Sequence, residues 1–168
     1  MNLHSRFRVR KQPNLRDWRK FLNKQKYSEC QLVTAINARY WLTGKILGQD
    51  TQHYEKLVDL VGARHGAAIS VHRAWKRFGI DVAQEYNYVF GIEADMLPLE
   101  LTVWHKAYGY HSVLIIDREA RSGAVRIANF SKATSMYGWI FWEDLQHFLQ
   151  KSLGRRSWRA RKFKLVKG

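Results

Sequence analysis

The chain has 168 residues, 46% of them apolar, and a formal net charge of +15. That is enough for one domain with its own core and excludes an intrinsically disordered chain. A single cysteine excludes an internal disulfide, and no apolar run reaches the length of a membrane span or of a signal-peptide core, so the expectation is a soluble protein of a reducing compartment.

The charge is unevenly placed. Residues 1–26 carry nine Lys/Arg against Asp17, and residues 151–168 carry eight with no acid, whereas residues 27–150 are close to neutral. We therefore expect three parts: a basic arm with a short helix over 1–22, a domain over 23–150, and a basic aromatic tail over 151–168. Basic ends suit an anionic partner: nucleic acid, including the genome of a nucleoprotein particle, or an acidic protein surface. Candidate contacts are Arg6, Arg8, Arg10, Arg155, Arg156, Trp158, Arg159, Arg161 and Lys162, where aromatic rings interleave with basic groups.

In chain order, Trp18, Phe21 and Leu22 form a short apolar stripe at helical spacing. The next helix is expected to begin at Ser28, which stands three residues before Gln31 as in a capping box, and to stop at Gly44. Its apolar residues include Leu32, Val33, Ala35, Ile36 and Trp41, and Cys30 falls in its first turn. There the unpaired amides and the helix dipole favour a thiolate. Thr51 can cap a second helix ending at Gly62, and Ser70–Phe78 reads as a third, stopped by Gly79. The period then changes to that of strands: 80–89, 97–104, a strongly apolar 110–116, and 124–130, with one more possible over 137–141 and a short helix over 142–149. Helices first and strands afterwards predict an α+β domain, N-terminal helices packed on a C-terminal antiparallel sheet.

Three residues in this frame carry candidate chemistry. Cys30 offers a nucleophile at a helix head. His111 opens the apolar strand and is placed to act as its base, with His105 as a rival. Asn129, on the neighbouring strand, shares a face with Val125 and Ile127, so its side-chain oxygen is expected to orient the imidazole. Scattered His residues and one Cys match no metal-ligand spacing, and no cofactor is expected.

The order Cys, His, Asn resembles that of papain-like cysteine peptidases, and the compact bacteriocin-processing branch found on ABC exporters is the nearer likeness. The matching segments are the Cys30 helix, Ala68–Ser70 through Trp75 to Phe78-Gly79-Ile80, Leu97-Pro98 with Gly109–Asp117, and Val125–Phe130 followed by Trp142–Leu145. Together they span roughly residues 23–149. The resemblance implies a papain-like fold and a thiol hydrolase. Such an enzyme cleaves a peptide or isopeptide bond of a polypeptide through a thioester, with an oxyanion hole built from the Cys30 amide and an upstream Gln. The family's Gln stands six residues before the cysteine, where this chain has Lys24, so the role passes to Gln25. Asp is usual as the third member in the exporter branch, and Asn129 is closer to papain itself. The alternatives are a weakened or inactive peptidase fold serving binding or assembly through its basic ends, and an acyltransferase using the same triad.

Overall fold

The computed structural model describes residues 16–23, 25–64, 71–86, 91–105, 109–129, 141, 144–145 and 159–167. Three helices, α1 (Cys30–Thr43), α2 (Gln52–Leu60) and α3 (Val71–Arg77), come first. Five strands follow: β1 (Ile80–Tyr86), β2 (Leu99–His105), β3 (Gly109–Arg118), β4 (Val125–Ala128) and β5 (Arg159–Leu165). The strands form one antiparallel sheet in the order β1-β5-β2-β3-β4. The expected α+β architecture is therefore present. Among the described residues no helix is long and apolar enough to cross a membrane.

Helix α1 is buried almost all round: Leu32, Val33, Thr34, Ala35, Ile36, Asn37 and Ala38 have no exposed surface. A helix with no solvent face must satisfy its polar side chains internally. Asn37 does so by pairing with the backbone of Leu22, accepting from its N–H at 2.7 Å and donating to its carbonyl at 2.9 Å. That pairing draws Phe21 into the core, edge-on to Tyr40 at 4.9 Å between ring centres. The helix begins at Cys30, not at the expected Ser28; Glu29 is its N-cap and Ser28 donates its N–H to the Ala63 carbonyl instead. At the other end Gly44 adopts φ 75°, and a Cβ there would stand 2.7 Å from the Arg16 guanidinium, which caps the helix through the Trp41 carbonyl. The Thr51 cap of α2 is as expected, its hydroxyl accepting from the Tyr54 N–H.

The sheet has two apolar faces. Leu114, Ile116, Ala128 and Phe163 pack with the helices; Leu99, Leu101, Val113, Ile115 and Ile127 pack on the other side with Ile92, Leu97 and Leu145. Covering both faces explains the unbroken apolar run of β3. Two indole N–H groups pin the helices in place: Trp41 to the Ile116 carbonyl at 2.9 Å, and Trp75 to the Gln31 carbonyl at 3.1 Å.

The expected C-terminal tail is corrected by β5. Residues 159–165 pair with both β1 and β2 inside the sheet, so this stretch belongs to the domain, as does Phe21 at the other end. The alternation of apolar and basic residues is that of a strand: Ala160 and Phe163 are buried. Arg161 is buried as well and ion-paired to Glu85 and Glu100, so it is not a free anion contact; the Lys162 ammonium donates to the Asp95 carbonyl. The side chain of Arg159, residues 6–10, 155–156 and 158, the possible strand over 137–140 and most of the 142–149 helix lie outside the described residues.

Phe163→Ala is expected to cost about 3–5 kcal/mol of unfolding free energy in urea titration, as for a core aromatic; a tail residue would cost under ~0.5 kcal/mol.

Candidate functional site

The site forms where β4 leaves β3. The ladder between them runs to Leu114↔Ala128, and the next residue, Asn129, adopts φ 61°. This left-handed conformation is tolerated by Asn more readily than by most residues, and it turns the chain out of the sheet. The turn aims the Asn129 carbonyl at His111, whose Nε2 lies 2.8 Å from that oxygen. A carbonyl only accepts, so Nε2 carries the ring proton and, in the neutral ring, Nδ1 is left as an acceptor. The sequence suggested that the Asn129 side chain would hold the imidazole; its backbone does so instead.

The Asn129 side chain is used elsewhere. Its Nδ2 donates to Gln25 Oε1 at 3.3 Å, while its backbone N–H donates to Asn23 Oδ1 at 2.9 Å. These two bonds tie the loop that precedes Cys30 to the end of β4. Gln25 Nε2 in turn donates to the Tyr27 carbonyl at 3.0 Å, so the amide expected in an oxyanion hole is engaged in shaping its own loop. The loop is folded further by Glu29, fully buried, whose carboxylate accepts from the N–H groups of Lys26 and Tyr27 at 2.5 Å each. On the outside, Arg64 bridges Glu55, Asp59 and the Tyr27 hydroxyl, and Lys26 reaches Asp50.

Cys30 is delivered by this loop to the first position of α1, where backbone N–H groups have no intrahelical acceptor. One turn further along α1, Thr34 meets the hydroxyl of Ser112, the residue after His111, at 3.0 Å, so the helix head lies beside this part of β3. Loop, helix head, β3 and the end of β4 thus bring Gln25, Cys30, His111 and Asn129 into one region. The expectation of a depressed thiol is not met. Burial pushes the Cys30 thiol up, the Glu100 and Glu29 carboxylates add to the rise, and the Ser112 and Gln31 amides only partly oppose it.

Reading the sequence missed several residues here. Glu100 and Thr102 alternate with Leu99 and Leu101 in β2, a pattern that ordinarily marks a solvent face. The helices cover that face, and Glu100 is fully buried. Its Oε1 accepts from the hydroxyls of Thr102 and Ser112, the latter at 2.9 Å, and the Ser112 hydroxyl lies 3.0 Å from Thr34 Oγ1 on α1. Asn23 had no signal beyond its place in the loop.

No family model matches the chain, and no curated protein does. Among solved structures, it is similar to the N-terminal peptidase C39-like domain of the toxin secretion ATP-binding protein from Vibrio parahaemolyticus. The two are 19% identical with a TM-score of 0.50, over 84% of this chain and 99% of that one. The likeness is one of fold: helices packed on an antiparallel sheet, the α+β papain-like architecture.

A thiol whose folded value lies above its unfolded one favours folding while protonated, and that contribution is lost as pH rises from the unfolded value through the folded one. The urea midpoint of the wild type is therefore expected to fall relative to that of Cys30→Ala as pH is raised above about 8.5.

Proposed function

We propose that the protein is a thiol hydrolase acting on a peptide or isopeptide bond, with Cys30 as nucleophile and His111 as base and acid. The observation that carries this is the 2.8 Å contact between His111 Nε2 and the Asn129 carbonyl, which leaves Nδ1 as the acceptor on a ring next to Ser112, whose hydroxyl meets α1 at Thr34, one turn from Cys30. The papain-like fold supports it. With the thiol held up, a resting thiolate is disfavoured and the sulfur depends on a base at the moment of attack.

In the reaction, Nδ1 takes the thiol proton as the sulfur adds to the acyl carbon. The oxyanion develops against the Cys30 N–H at the head of α1, where the helix dipole favours negative charge. The imidazolium, stabilised through Nε2–H on the Asn129 carbonyl, returns its proton to the leaving amine, and a thioester forms on Cys30. Water, deprotonated by the same nitrogen, then adds to the thioester and releases the acid with regeneration of the thiol. The role of Asn129 lies in its carbonyl and backbone turn, and that of Gln25 in fixing the loop.

A second reading is favoured by the raised thiol and by the basic residues at 6–10 and 155–156: a peptidase-fold protein whose main task is binding a polyanion. The two are separated by incubating the full chain with a proteome-derived peptide library and reading new termini by mass spectrometry. Cleavage that disappears in Cys30→Ala and falls at least ~10²-fold in His111→Ala supports the hydrolase. No cleavage dependent on Cys30, with steeply salt-dependent binding to single-stranded nucleic acid, supports the second reading.

Asn129→Gly keeps the carbonyl and accepts a positive φ, so it is expected to retain cleavage within about tenfold. Asn129→Val strains the turn by about 1–2 kcal/mol and is expected to lose much more. Equal and complete loss in both would show that the side chain itself is required.

A further inference from the structure

Beneath the helix head, charged side chains form a row across three adjacent strands. Glu85 of β1 is the register partner of Arg161 of β5, and Arg161 is the partner of Glu100 of β2. The contacts follow the register: Arg161 Nε to Glu85 Oε1 at 3.2 Å, and Arg161 Nη1 to Glu100 Oε2 at 3.6 Å. Trp75 of α3 lies over the guanidinium at 5.4 Å, and its indole N–H holds the Gln31 carbonyl in the first turn of α1. Two carboxylates share one guanidinium here, so the row carries a net negative charge. Glu85 is half exposed and screened by water; Glu100 is wholly buried and is not.

The row reaches the candidate nucleophile through Ser112. A carboxylate only accepts and a serine hydroxyl has one proton, so that proton goes to Glu100 and the Thr34 hydroxyl donates to Ser112. Thr34 lies one helical turn from Cys30 on the same face of α1, so these hydroxyls lead from Glu100 to the turn that carries the thiol. Glu100 thus anchors the strand residue that meets α1 one turn from Cys30 and places a buried carboxylate behind it. We propose that Glu100, with Arg161 as its counter-ion, is a positioning residue that fixes β3 against the first turns of α1 and sets the reactivity of the Cys30 thiol. The inference deepens the reading of Cys30 as nucleophile, since a thiol held neutral resists adventitious alkylation and oxidation until a base acts on it. Among the described residues, the charged and titratable groups on the elements packed here are Glu29 at the entry to α1, Glu100 on β2, His111 on β3 and, one step further, Arg161 on β5 and Glu85 on β1.

The test is the pH profile of iodoacetamide alkylation. Cys30 is the only cysteine, so mass spectrometry reads it without ambiguity in the full chain. Glu100→Gln, which keeps shape and hydrogen bonding, is expected to move the profile to lower pH and raise the rate at pH 7 about threefold. Arg161→Met is expected to move it to higher pH. Shifts of opposite sign support the inference; an unchanged profile, or shifts of the same sign, overturns it. Should Glu100→Gln not fold, Glu85→Gln, at a half-exposed position, is expected to give a smaller shift to lower pH, and no shift there overturns the inference. Alkylation needs no turnover. Absence of Cys30-dependent peptide cleavage together with these shifts would sink the hydrolase reading and leave this one standing, and cleavage without the shifts would do the reverse.

Discussion

The structure depends on burying the middle of α1. A helix with residues 32–38 sealed from water gains about 1.5–3 kcal/mol for each large apolar side chain it removes from solvent. It also incurs an obligation: every polar group along it needs a partner inside the protein. Asn37 meets Leu22, Thr34 meets Ser112, the Gln31 carbonyl meets Trp75, and the Trp41 indole meets Ile116. Those four contacts fix the helix in rotation and in height over the sheet. The position of Cys30 follows from them, because it is the residue at which the helix starts.

The two polar devices around the sulfur work in different ways. On one side, β4 ends in a left-handed Asn, and a main-chain oxygen fixes the imidazole. A main-chain oxygen cannot swing away as a side chain can; the dihedral at Asn129 and its bonds to Asn23 and Gln25 set its direction. On the other side, a row of acid, base and acid, running from half-exposed Glu85 to buried Glu100, supplies electrostatics. Replacing such a row with apolar side chains would often stabilise a core, since desolvating charges is costly. Its presence under the helix head, where a thiol is also buried, is consistent with a use beyond stability.

Much of this was legible in the sequence. Periodicity and glycine stops marked the three helices, and Thr51 declared its cap. The apolar run at 110–116 announced the strand β3. Cys30, His111 and Asn129 stood out as candidates because their residue types, order and flanking patterns agree. What the sequence could not convey was mostly a matter of partners. Arg161 and Phe163 sit in a stretch whose basic and apolar alternation fits a solvated tail as well as a strand; only pairing with β1 and β2 decides it. Glu100 reads as a solvent-facing residue until α1 and α3 are laid over that face. Asn129 reads as a side-chain ligand because residue type says nothing about a positive φ. The thiol was misjudged for a related reason: a helix dipole is visible from spacing, whereas burial and two nearby carboxylates are not.

The place of β5 has a consequence for how the molecule is assembled. Ile80 finds its register partner at Leu165, and Leu99 finds one at Lys162, so the second strand of the sheet is the last to be synthesised. Until it arrives, β1 on one side and the β2-β3-β4 meander on the other have no strand joining them, and each presents an open edge of backbone donors and acceptors. Closure of so large a loop is entropically late and favours slow folding. The nascent chain therefore passes through a stage in which its helices can form while its sheet stands in two halves, the stage at which a chaperone would be most useful.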